Sequence, residues 1–109
     1  MYRIGVVSLF PELVEPVVRF GVVGRARERG LLAIEHATPR DFTTDRHRTV
    51  DDRPYGGGPG MVLKYEPMRD AVHALRSRLP AGTREIVLTA QGRPLDQALV
   101  RELAAAPGL

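Results

Sequence analysis

The run "YRIGVVSLF", residues 2 to 10, constrains the fold more than any other part of the chain. It is continuously apolar and rich in β-branched residues, without the alternation of a strand that has one wet face. It therefore reads as a buried strand near residues 2 to 8. Strands of this kind belong to parallel sheets covered on both faces, and parallel neighbours need a crossover connection. The next residues supply one. Pro11 suits a helix start, and "ELVEPVVRF" reads as a helix bent or interrupted at Pro16. "GVVGRARERG" continues as a second short helix closed by Gly30. "LLAIEHA" is the second strand, ended by Pro39. "MVLKY" is a candidate short strand. Met68, Ala71, Val72, Leu75 and Leu79 then fall at helical spacing, which predicts an amphipathic helix over residues 66–79. "PAGT" is a turn, "REIVLT" (84–89) a third strand and "AQGRP" a tight loop. "LDQALVRELAAA" is a helix with Leu95, Leu99 and Leu103 on one face. Strands alternating with helices predict an α/β domain, a mainly parallel sheet with flanking helices.

Composition narrows the function classes. The 109 residues suit one domain, and no second domain is expected. No cysteine is present, which removes disulfides, thiolate metal sites and cysteine nucleophiles and fits a cytoplasmic protein. No apolar run approaches the ~20 residues of a membrane span. Pro11 and Glu12 cut the N-terminal apolar stretch too short for a signal peptide. The net charge is +3, and Lys64 is the only lysine among sixteen basic residues. Arginine suits phosphates and base edges, yet a GC-rich genome also favours arginine codons, so the charge permits nucleic-acid binding without requiring it.

Residues 43–60 read as one long irregular loop. Its centre, "DRHRTVDDRPYGGGPGM", cannot bury a core. A loop this long in a compact domain is usually functional or disordered. The glycine-rich tail suits disorder. The balanced charges, and Val50, Pro54 and Tyr55 as anchors, suit function. It is not a Walker A loop, because no Gly-Lys-Ser/Thr follows the glycines. Met61 stands where a dinucleotide fingerprint would place its last glycine. Asp51 and Asp52 are adjacent and point apart, and His36, His47 and His73 lack metal-ligand spacing, so no metal site is assigned. Two further candidates stand beside the loop. "VLTAQGRPLDQ" follows a predicted strand and leads into a helix, where open α/β sheets bind ligands, although its spacing alone favours a plain connection. Arg25 and Arg29 lie one helical turn apart and suit either phosphates or solvent.

In order and spacing, "VSLFPELVEP", "GVVGRARERGLL", "PRDFTTDRHRTVDDRPYGGGPGMV" and "LTAQGRPLDQ" resemble the N-terminal part of the bacterial tRNA (guanine-N(1)-)-methyltransferases, the TrmD family. The resemblance covers essentially the whole chain, and the run from Pro39 to Met61 is its most specific part. It implies a SPOUT-class domain with a trefoil knot, the knot lying outside these residues. It implies methyl transfer from S-adenosylmethionine to N(1) of the guanosine just 3′ of the anticodon in tRNA. It further implies a homodimer with Mg²⁺ supporting activity. His47 and Asp51 match positions that handle the tRNA guanosines. Pro59 and Gly60 match the segment near the substrate base. Val87, Leu88, Thr89, Ala90, Gln91 and Gly92 resemble the first of three loops that cradle S-adenosylmethionine. The usual Ser-Pro of that loop reads Thr89-Ala90, which bears on stiffness more than on ligand identity. The general base, its partner arginine and the other two loops are expected beyond Leu109, so no catalytic residue is assigned within the chain.

Two expectations complete this reading. Pro107 and Gly108 after a helix normally lead into another element, so the chain is expected to be the first part of a longer protein and inactive alone. The competing expectation is a non-catalytic RNA-binding or dimerisation module.

Overall fold

A computed structural model describes residues 1–109. Strands β1 (Tyr2–Val7) and β2 (Leu32–Ala37) pair in parallel, from Tyr2 opposite Leu32 to Val7 opposite Ala37. The crossover between them is helix α1 (Pro11–Arg19) followed by α2 (Gly21–Glu28). Pro11 occupies the first turn of α1, where its missing N–H costs nothing. Pro16 does not interrupt the helix as its sequence predicts. The chain breaks instead at Phe20, whose backbone is extended. Pro16, the sixth of nine residues, removes one N–H from the middle of a short exposed helix, and the helix continues past it to Arg19.

The elbow between α1 and α2 depends on Gly24, which is buried. A Cβ on Gly24 would run into the Arg19 carbonyl oxygen, so only glycine lets the helices touch there. At its far end, α2 closes as predicted on Gly30. The Gly30 N–H donates to the Arg27 carbonyl and the Leu31 N–H to the Ala26 carbonyl, at 3.0 and 2.9 Å, the paired bonds of a Schellman motif. A shared carboxylate ties the crossover to the sheet. Glu15 accepts from Arg27 Nη1 at 3.0 Å and from His36 Nε2 at 2.9 Å, joining α1, α2 and β2. These two bonds, His36 first, hold the Glu15 carboxyl below its ordinary value.

Helix α3 (Tyr65–Arg76) covers the sheet. Its buried Pro67, Ala71 and Leu75 follow helical spacing. Ala71 and Leu75 meet Ala37 of β2, with Val7, Phe42 and Leu79 packed around them. The glycine inside β1 makes this close: a Cβ on Gly5 would sit 2.8 Å from Leu79 Cδ1 and 3.1 Å from Leu75 Cδ1.

Two expectations about the sheet are corrected. β1 is half-buried along its whole length rather than covered on both faces. "REIVLT" forms no strand. The second edge of β1 is taken by residues 108 and 109: the Leu109 N–H donates to the Arg3 carbonyl at 3.0 Å and the Gly5 N–H to the Leu109 carbonyl at 2.8 Å. Of residues 84–89 only Arg84 then bonds the occupying segment, its N–H donating to the Gly108 carbonyl at 3.0 Å. No main-chain group of residues 85–88 has a main-chain partner, so their β propensity has nothing to pair with. Helix α4 (Gln97–Ala104) starts later than predicted, because the Asp96 carboxylate caps it by accepting from the Leu99 N–H at 2.8 Å. Leu99 and Leu103 are half-buried, whereas Leu95 precedes the helix and is exposed. Tyr2 joins α4 to β1 by donating from its hydroxyl to the Leu103 carbonyl at 2.7 Å. The result is α/β, with a small parallel sheet. No helix is long and apolar enough to cross a membrane.

Candidate functional site

Residues 38–64 anchor an arm and then extend it. Thr38 caps a 3-10 turn over Pro39–Phe42, its Oγ1 accepting from the Arg40 N–H at 3.3 Å. Pro39 is fully buried, and Phe42 packs on the core. Sequence reasoning missed this turn, although Thr followed by Pro is a helix-start signal that could have found it. The chain next folds on its own charges. Arg48 is the only non-glycine residue with a positive φ, at 52°. Its guanidinium supports that conformation by bonding the Asp41 carboxylate and, at 3.1 Å, the Arg40 carbonyl. The Asp45 carboxylate accepts from both the N–H and the hydroxyl of Thr49. The hydroxyl bond is the main reason the Asp45 carboxyl sits below its ordinary value. Val50 is then buried, at 3% exposure.

Past Val50 the chain becomes a narrow hairpin. β3 (Asp51–Asp52) and β4 (Val62–Leu63) pair antiparallel, and the Lys64 N–H closes the foot on the Val50 carbonyl at 2.7 Å. Between them, all of residues 53–61 except half-buried Pro54 are exposed. The Gly57 N–H donates to the Pro54 carbonyl at 3.1 Å, and Gly56 in the third turn position has φ 77°, the signature of a type II turn. Gly57, Gly58 and Gly60 also have positive φ, at 83°, 109° and 88°. No atom of the chain lies near where their Cβ atoms would be, so the path of the backbone and not crowding requires glycine. The single irregular loop expected over residues 43–60 is thus corrected. Its first part is docked, its base is a hairpin and only the tip stands free. Strands of two residues carry no periodicity, which is why the sequence hid them.

The arm carries four of the predicted site residues. His47 is exposed on a turn in which the Arg48 N–H donates to the Asp45 carbonyl at 3.2 Å. Asp51 is half-buried as the first residue of β3. Pro59 and Gly60 are exposed on the tip. Two therefore lie at the foot and two toward the end of one projection. Beside the foot, an open groove of about 400 Å³ runs along α3, lined by Leu63, Lys64, Tyr65, Met68, Arg69 and His73 among others.

The second candidate stands apart from regular structure. Val87 and Leu88 are 83% and 94% exposed. Thr89 to Gly92 form a turn, the Gln91 N–H donating to Thr89 Oγ1 at 3.3 Å and the Gly92 N–H to the Thr89 carbonyl at 3.2 Å. Bare apolar side chains thus adjoin open main-chain groups. Arg25 and Arg29 are exposed near the end of α2. His36, unassigned from sequence, proves to be part of the Glu15 clamp. Its Nδ1 is buried without a partner, and because the Glu15 carboxylate only accepts, Nε2 is the donor between them.

Comparison with known proteins gives a consistent picture. The sequence profile of a family described as tRNA (Guanine-1)-methyltransferase TrmD matches residues 2–109. A tRNA (guanine-N(1)-)-methyltransferase of Methylococcus capsulatus is 57% identical over 107 residues, covering 98% of this chain and 43% of that protein. One from Vibrio vulnificus is 58% identical over 101 residues, covering 93% of this chain and 41% of that protein. The crystal structure of tRNA (m1G37) methyltransferase from Aquifex aeolicus superposes with a TM-score of 0.77 at 29% identity, over 99% of this chain and 48% of that one. The chain therefore spans less than half the length of each of these relatives.

Proposed function

The chain belongs to the tRNA (guanine-N(1)-)-methyltransferase family, TrmD, and from that premise we propose that it is the N-terminal part of an enzyme that methylates tRNA. The methyl group passes from S-adenosylmethionine to N(1) of a guanosine just 3′ of the anticodon. The observation that carries this reading is the match of residues 2–109, the glycine-rich arm included, to the family profile. The finer readings belong to the same proposal. The domain is SPOUT-class, with its trefoil knot outside residues 1–109. It acts in the cytoplasm as a homodimer, for which the exposed Leu13 and Val17 of α1, Phe20 at the elbow and Val22 of α2 offer apolar surface.

Each part of the chain then has a task. Residues 43–60 are the functional loop, in which His47 and Asp51 handle tRNA guanosines and Pro59 and Gly60 lie near the substrate base. Val87 to Gly92 hold S-adenosylmethionine, which supplies an electrophilic methyl group when bound. Their open main-chain groups and bare apolar side chains fit an adenosyl moiety bound through backbone and stacking contacts. No three of the chain's His, Asp and Glu side chains converge as metal ligands, so Mg²⁺ is given no step on these residues. The general base is assigned outside this chain, and residues 1–109 alone are expected to give no turnover.

The test uses the full-length protein with S-adenosylmethionine labelled in its methyl group and a tRNA transcript. Label on N(1) of guanosine, located by nuclease digestion and mass spectrometry, is the expected result. Absence of label, or label on another atom, overturns the proposal. His47→Ala and Asp51→Ala are expected to slow transfer by about tenfold or more with unchanged melting, since each removes a polar contact and neither side chain lies in the core.

A further inference from the structure

The tip of the arm presents one side chain that the proposed function leaves unused. Tyr55 is 100% exposed, the only aromatic residue in the chain that touches nothing. The others are at least partly engaged. Tyr2 is bonded to the Leu103 carbonyl, and Phe42 packs on the core. Arg40 lies 5.3 Å from the ring centre of Phe10, and Arg69 lies 5.4 Å from that of Tyr65. Phe20, at the helix elbow, is 71% exposed. Tyr55 is nonetheless not loosely attached. It occupies the second position of the turn closed by Gly57 and Pro54, so its backbone is fixed while its ring projects from the corner. Arg53, two residues earlier in the chain, is also exposed on the arm.

The chemistry of the substrate says what such a ring is for. N(1) of guanine lies on the Watson–Crick edge, so a base methylated there must be unpaired and out of its stack. Unpaired RNA bases are held by stacking on exposed aromatic rings, with neighbouring cations on the phosphates. We propose that the Tyr55 ring is a stacking platform for an unpaired base of the tRNA, with Arg53 beside the flanking phosphate. This inference rests on the reading of the chain as part of a tRNA methyltransferase. It adds a binding residue to His47, Asp51, Pro59 and Gly60. The aromatic face recognises any base by its π surface, so the role is positioning rather than choice of sequence.

The full-length protein tests this with Tyr55→Ala and Tyr55→Phe, each measured for methyl transfer, tRNA binding on filters, melting and sedimentation. Tyr55→Ala is expected to raise KM for tRNA about tenfold. Its KM for S-adenosylmethionine, its melting and its oligomeric state should stay unchanged. Tyr55→Phe keeps the ring and should stay within about twofold of the parent. The slope of binding against salt should not change for either, because a neutral ring releases no counterions. Unchanged tRNA binding in Tyr55→Ala overturns the proposal. So does a Tyr55→Phe variant as impaired as Tyr55→Ala, which would place the effect in the hydroxyl. Loss of dimer in step with loss of activity also overturns it, because the ring would then pack on a second copy. If the parent transfers no methyl group yet Tyr55→Ala still weakens tRNA binding, the methyltransferase reading falls and the platform stands.

Discussion

"YRIGVV" and "REIVLT" are nearly interchangeable as strings of strand formers, and only the first becomes a strand. The first has β2 on one edge, Leu109 on the other, and Leu75 of α3 with Leu79 just beyond that helix above Gly5. The second is tied to the strand-like segment at residues 108–109 by one main-chain bond, from Arg84, and its Val87 and Leu88 lie bare. β propensity describes how a residue fits a pleated, half-covered surface, so it has no effect until that surface is supplied. The difference between the two segments is therefore one of neighbours and not of residues.

The largest test of this removes the cover. Leu75 is 3% exposed, and Leu75→Ala should destabilise the chain by about 2–5 kcal/mol in urea denaturation. A loss below 1 kcal/mol would mean that α3 does not hold the sheet. The next test removes the crossover. Gly24→Ala drives a methyl group into the Arg19 carbonyl and should cost about 1–3 kcal/mol by splaying α1 from α2. A variant that melts like the parent would show that the elbow opens freely. A third test loosens the clamp that holds β2 to the crossover. The Glu15 carboxyl lies below its ordinary value in the folded chain, so its contribution is complete above about pH 4.5 and is lost as pH falls further. Glu15→Gln should lower stability at neutral pH and flatten the acid side of the pH–stability curve. An unaltered acid slope would remove Glu15 from the account. The smallest effect belongs to the bare segment. Leu88→Ser should shift stability by less than about 0.5 kcal/mol. A loss matching Leu75→Ala would show that residues 84–89 fold into the sheet in solution.

The legible parts of the fold are those whose pattern and partners lie close together. The helix over Tyr65–Arg76 could be read from Ala71 and Leu75 because its period is set by its own backbone. Gly30 could be read as a terminator because a Schellman closure needs only its adjacent turn. The failures share the opposite property. The 84–89 segment depends on what lies beside it, and β3 and β4 are too short to show a period. The long-range bonds of Glu15 to Arg27 and His36 leave no spacing in the sequence. The arm was legible as a special segment, since no core could use it, but its docked beginning was not. Arg48, Asp45 and Thr49 hold it by side-chain bonds that depend on a left-handed residue no pattern announces.

The tip of the arm also discriminates by chirality. Gly56, Gly57, Gly58 and Gly60 all sit where an L-residue is strained, yet open space surrounds each of them. For a D-residue the allowed conformations are inverted, and these same backbone angles become favourable. D-Alanine placed at Gly57 by peptide ligation should leave the arm's shape intact. L-Alanine, with the same atoms and the same room, should bend it. Handedness, not bulk, decides what this segment tolerates.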